Sequence, residues 1–106
     1  MKIVKYTFTL FILILSTKSY AVVGPTTVTG KITNITSINS GILVRIAADE
    51  VPESCTTTTK WMEIKQEKTA MISLTLAAWT LNKEVTVYAS GSSGYCQVNQ
   101  VHPSSS

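Results

Sequence analysis

The sequence predicts a mainly β domain with one helix, folded as a small five-stranded barrel in the order strand, strand, strand, helix, strand, strand. Three observations predict it. Short segments rich in Thr, Val and Ile alternate apolar and polar residues on both sides of one Ala-rich stretch, Ala70–Leu81. Turn-forming residues separate the segments, at Asn39-Ser40-Gly41 and at Ser90–Gly94. One cysteine stands on each side of the Ala-rich stretch, Cys55 and Cys96.

The chain has 106 residues, which bounds it to one domain. Hydrophobic residues make up 44% and charged residues 14%, a balance that excludes a disordered charged tail. The N-terminal stretch is set apart. Lys2 and Lys5 precede an apolar run, Tyr6–Leu15, and small residues stand at Ser19 and Ala21. A charged start, a short apolar middle and small residues before a cut form a secretory signal peptide. The run is too short to span a bilayer, which needs about 20 apolar residues. The expected domains are therefore a signal peptide over 1–21 and one barrel over 22–106, exported to the periplasm or beyond.

Cleavage after Ala21 changes the charge argument. The net charge of +3 includes Lys2, Lys5 and Lys18, which leave with the leader. The remaining bases are Lys31, Arg45, Lys60, Lys65, Lys68 and Lys83. The acids Asp49, Glu50, Glu53, Glu63, Glu67 and Glu84 balance them. A neutral domain has no electrostatic footprint for nucleic acid, and no basic amphipathic stretch points to a membrane surface.

Each element has its own reason. Thr26–Ser37 is strand-forming, and Gly30 within it suggests a bulge or bend. Ile42–Ala48 pairs back across the Asn39-Ser40-Gly41 turn as a hairpin. Its inward face carries Ile42, Val44 and Ile46. Asp49–Thr59 is a polar loop holding Pro52 and Cys55. In Lys60–Lys65, Met62 and Ile64 point one way and Trp61, Glu63 and Lys65 the other. Gln66–Leu81 opens with helix formers and is Ala-rich, so it is expected to be helical although Ile72–Leu76 also alternates. Asn82 suits a left-handed stop. Glu84–Ala89 turns Val85, Val87 and Ala89 inward. Tyr95–Val101 turns Cys96 and Val98 inward. A polar tail from about His102 closes the chain, with nothing in the sequence to tie it down.

Both cysteines lie in the exported part, where disulfides persist. A metal site needs three or four ligands and a thiol nucleophile needs a base, and His102 is the only histidine. Cys55–Cys96 therefore reads as a structural bridge. On the chain-entropy account it stabilises a domain of this size by about 4 kcal/mol.

Catalytic signatures are missing. There is no phosphate-cradling glycine loop, HExxH or GxSxG. Asp49, Glu50 and Glu53 fall in a Pro-containing loop that leaves carboxylates solvated rather than held in a pocket. Asn34-Ile35-Thr36 matches a glycosylation sequon, which needs a host with that machinery. The expectation is a non-enzyme without cofactor or metal. The binding candidates are outward aromatics with polar neighbours: Trp61, Tyr88, Tyr95, Gln97, Asn99 and Asn39. Flat rings flanked by amides suit a sugar or a peptide.

On a helical wheel, Ala70–Asn82 shows two apolar stripes. Ala70, Met71, Leu74, Ala77, Ala78 and Leu81 share an arc of about 100°. Ile72, Leu76 and Trp79 form a second arc. The small-residue stripe suits close approach to the sheet. The second stripe then needs cover, from the Asp49–Thr59 loop or from another subunit, which makes Ile72, Leu76 and Trp79 a candidate oligomer interface.

The element order is that of the OB-fold, a five-stranded Greek-key barrel. The stretches Thr29-Gly30-Lys31-Ile32-Thr33-Asn34-Ile35, Ile42-Leu43-Val44-Arg45-Ile46 and Lys83–Tyr88, with Cys55 and Cys96, resemble small exported bacterial domains of unknown function. Those domains share a central Ala-rich helix and one cysteine pair. The layout is also similar to the B subunits of pentameric bacterial toxins. That resemblance implies glycan recognition and a ring assembled through the helix, and it is a resemblance of layout without a shared sugar-binding motif. The expected function is an exported, non-catalytic binding module that recognises a glycan. The alternative is a structural or inhibitory protein acting through a protein–protein surface, such as the Asp49–Thr59 loop.

Overall fold

A computed structural model describes residues 20–104. The leader expected over 1–21 lies outside them except for Tyr20 and Ala21. The fold is mainly β with one helix, and the chain order of its ring is the one the alternation predicts. A short strand β1, Val22–Val23, comes first. The ring follows: β2 (Thr27–Ile38), β3 (Gly41–Ile46), β4 (Met62–Lys65), helix α1 (Thr69–Thr80), β5 (Glu84–Ser90) and β6 (Cys96–Pro103).

The six strands form one sheet in the order β1-β2-β3-β4-β6-β5, and β2 also pairs with β5. That second pairing closes β2 to β6 into an OB-fold-like barrel. All ring pairings are antiparallel except β4 with β6. The closure is uneven. The parallel seam is confined to Met62↔Cys96 and Glu63↔Gln97, whereas β2 and β3 pair from Ile32↔Ile46 to Ile38↔Gly41. Cys55–Cys96 crosses next to this short seam, with a Cα separation of 5.6 Å.

The core is built by alternation. Val28, Ile32, Val44, Ile46, Met62, Ile64, Val85, Val87, Ala89, Cys96, Val98 and Val101 turn inward and are buried together. Two glycines permit close approach. A Cβ on Gly30 would stand 2.9 Å from Ile46 Cγ2, and one on Gly41 would stand 2.1 Å from the Ile64 carbonyl oxygen.

Several expectations need correction. The bulge in β2 falls between Ile32 and Asn34, not at Gly30. Thr33, the extra residue, donates its hydroxyl to the Arg45 carbonyl at 3.4 Å. The second strand ends at Ile46, because Ala47–Asp49 winds into a 3-10 turn. His102 is no loose tail. It pairs with Thr86, Pro103 pairs with Val85, and the Ser104 amide donates to the Glu84 carbonyl. A second bulge in β6, after Ala89↔Val98, shifts the alternation so that Val101 also faces in. The strand β1 was not foreseen.

The Asp49–Thr59 segment is tied to its neighbours by backbone hydrogen bonds. The Glu53 amide donates to Gly24, Ser54 to Pro25 and Thr56 to Gly91. Ser54 Oγ donates to the Ala89 carbonyl at 2.6 Å. Pro52 is buried and Val51 packs on the core.

The helix also differs in the face it presents. It starts at Thr69, and Asn82 takes the expected left-handed conformation, φ 56°. Thr75 and Ala78 are its buried residues, and Met71 and Ile72 pack partly against the core. The inward arc therefore runs between the two expected stripes. Ile72, one of the candidate interface residues, is partly buried against the core. Leu74 and Leu81 stay exposed on one flank, and Leu76 and Trp79 on the other. Thr75 can face inward because its hydroxyl donates to the Met71 carbonyl at 2.8 Å. No helix among the described residues is long and apolar enough to cross a membrane.

Candidate functional site

The outer face of β3, β4 and β6 gathers part of the expected binding set. The seam register places Glu63 beside Gln97 and Met62 beside Cys96. Trp61 and Tyr95 each stand one residue before that latter pair, so alternation turns both toward the outer face. Trp61 is half-buried and Tyr95 exposed. Arg45 lies over the Trp61 ring, its guanidinium carbon 4.4 Å from the ring centroid. That distance is within the range of a cation–π contact.

Glu63 is the centre of the polar arrangement. Alternation puts it on the outer side, yet it is only 4% exposed. Gln97 Nε2 donates to its Oε1 at 2.7 Å and also to the Tyr95 carbonyl at 3.1 Å. Ser40 Oγ donates to its Oε2. Lys65 Nζ stands 3.7 Å from Oε1. The hydrogen bonds from Gln97 and Ser40 hold the Glu63 carboxyl below its ordinary 4.5, against the opposing effect of burial. Lys65 acts in the same direction. One carboxylate thus joins the β2–β3 turn, β4 and β6, and fixes the Gln97 amide beside Tyr95.

The other expected residues stand apart. Asn39 lies in the turn before Ser40 and is exposed. Tyr88 faces outward on β5 opposite Gln100, and Asn99 is the exposed residue of the β6 bulge. The face with Tyr88 continues onto β2, where Thr27 pairs with Tyr88 and Thr29 Oγ1 lies 2.8 Å from Thr86 Oγ1. Of the six candidates, Tyr95 and Gln97 are joined by a hydrogen bond and Trp61 shares their face, whereas Asn39, Tyr88 and Asn99 stand apart from them.

Arg45, Ser40 and the burial of Glu63 were missed. Arg45 alternates outward in Gly41–Ile46, and the hairpin register carries it level with Trp61, because Val44 pairs with Met62. That register was the available signal. Among the described residues no group of three His, Cys, Asp or Glu side chains could hold a metal ion.

Chemically the site can stack a flat or hydrophobic ring face on Tyr95 and Trp61. It offers the Gln97 amide oxygen and the Arg45 guanidinium for hydrogen bonds. Compared with family models, curated proteins and solved structures, the chain finds no match.

Proposed function

We propose that the chain is an exported, non-catalytic binding module that recognises a glycan on the outer face of β3, β4 and β6. The observation that carries this reading is the grouping of Trp61, Tyr95 and Gln97 around the fixed carboxylate of Glu63. Sugars are bound by ring stacking together with directional hydrogen bonds, and a pre-set amide lowers the ordering cost of binding. Export fits the disulfide, and processing between Ala21 and Val22 leaves β1 whole. The test is a glycan array with the processed protein, preceded by N-terminal sequencing. Binding that Trp61→Ala and Tyr95→Ala abolish, from a chain starting at Val22, supports the reading. An empty array, or a start upstream of Ser16, overturns it.

A second reading is a protein–protein surface on α1, with another copy of the chain as the partner. It is favoured by Leu74, Leu76, Trp79 and Leu81, which are large, apolar and exposed. No charged residue occurs from Thr69 to Asn82. Such a face carries no charge to select a different partner and none to repel its own copy.

A further inference from the structure

Arg45 is held in an unusual state. Its guanidinium lies over Trp61, and its Nε is buried with no acceptor among the described residues. The Arg45 side chain as a whole is 30% exposed, so a counter-ion can reach it from solvent. The only carboxylate it meets among the described residues is Asp49, whose Oδ1 stands 3.5 Å from Nη1, at the long end of a hydrogen bond. Asp49 makes that single contact from an exposed position.

The backbone that brings Asp49 there is strained. Ala48 and Asp49 both take left-handed conformations, φ 61° and 56°. For Ala48 this costs about 1–2 kcal/mol, and for Asp49 less, because a short polar side chain tolerates the region. Such strain gathers at ligand sites, where the surrounding structure holds it. A long ion pair at an exposed carboxylate returns less than the strain costs.

We propose that Arg45 is the seat for a carboxylate group of the ligand, and that Asp49 is an internal stand-in that the ligand displaces. The ligand class is an acidic saccharide, such as a uronate. Its carboxylate takes Nη1 and Nη2 end-on as a two-bond fork, where Asp49 reaches one nitrogen only. Its ring lies toward Trp61 and Tyr95, with the Gln97 amide oxygen as an acceptor for a hydroxyl. Glu63 does not repel it, because Ser40, Gln97 and Lys65 surround that carboxylate and burial keeps it from the surface. The proposal rests on the glycan-binding reading above and names the ligand class of that same face.

The test is calorimetric titration of the processed protein with a galacturonate trisaccharide and with its neutral galactose counterpart. The acidic sugar should bind at least about tenfold more tightly, the equivalent of one charged hydrogen bond. Arg45→Gln should remove that preference. Arg45→Lys, which keeps the charge without the fork, should remove most of it. Asp49→Asn should tighten the acidic sugar by roughly two- to fivefold, since it deletes a competing exposed pair. Retention of the disulfide and of the near-ultraviolet spectrum identifies variants that fold. If Arg45→Gln fails to fold, Asp49→Asn carries the test, because Asn tolerates the left-handed conformation. Equal binding of both sugars, or no change with Asp49→Asn, overturns the carboxylate seat and leaves the binding module standing. No binding of either sugar together with an empty array overturns both.

Discussion

Gln97 Nε2 donates to Glu63 Oε1 at 2.7 Å across the shortest pairing of the barrel. Neither side chain is needed for a backbone ladder. Their bond is a side-chain lock on a parallel seam, and parallel pairs are the less stable kind per residue. The lock works because Glu63 is charged, and a bond to a buried carboxylate contributes more than one between neutral groups.

The first prediction concerns pH. The folded state holds the Glu63 carboxyl below its ordinary 4.5, so it binds fewer protons there than the unfolded chain. The stabilisation is fully present above 4.5 and is lost as pH falls through the lowered folded value. Urea midpoints should therefore fall in the acid range for the wild type. In Glu63→Gln that part of the acid dependence should disappear, at a cost near neutrality of about 1 kcal/mol. Parallel acid profiles for the two proteins would show that another carboxylate controls the transition.

A second prediction concerns the bridge beside that seam. Cys96 is fully buried, and it anchors the first pair of the parallel register. Cys55→Ser or Cys96→Ser should cost about 2–5 kcal/mol, the loss usual for a small secreted domain. Hydrogen exchange should rise first in β4 and β6 and last in the β2–β3 hairpin. A uniform rise across the sheet would mean that the seam is not the weak point. Two free thiols in the exported protein would remove the premise.

Much of the barrel was legible because alternation is a local signal. Val85, Val87 and Ala89 could only face one way together, and Met62 and Ile64 likewise. What was not legible depends on partners far along the chain. The β2 bulge sits at Thr33 because of its pairing with β3, whereas Gly30 looked the better candidate and serves close packing against Ile46 instead. Alternation placed Glu63 on the outside correctly but could not say that Ser40 and Gln97 cover it. For α1 the wheel was apolar on nearly every side. Thr75, a polar residue, can take an inward position because its hydroxyl donates to the Met71 carbonyl.

A third prediction separates close packing from backbone strain. Gly41→Ala drives a methyl into the Ile64 carbonyl and should cost at least about 3 kcal/mol, or abolish folding. Ala48→Gly acts in the opposite sense. It relieves a left-handed alanine and should stabilise by about 1 kcal/mol. Thermal midpoints of the two variants measure both. A destabilising Ala48→Gly would show that the turn draws its stability from the alanine methyl.

The last prediction concerns α1. Its inward arc is filled by Met71, Ile72, Thr75 and Ala78, so the residues outside it are not needed to close the core. Trp79 is 46% exposed and Leu81 65%, well beyond what solvent-facing positions on a stable helix usually carry in large apolar groups. Self-association through the flank that carries Leu76 and Trp79 removes these two from water. We expect light scattering on the processed protein to show an oligomer at micromolar concentration. Trp79→Glu should yield a monomer with its disulfide and strand content intact, because a charge buried at such a contact has no partner. Trp79 is also more than half covered by the protein itself, so this variant can unfold for intramolecular reasons. Leu76→Glu answers that case, since it shares the Trp79 flank and is 40% exposed. A folded wild type that stays monomeric at high micromolar concentration ends the self-association reading. So does an oligomer that both variants leave unchanged, because its contact then lies elsewhere.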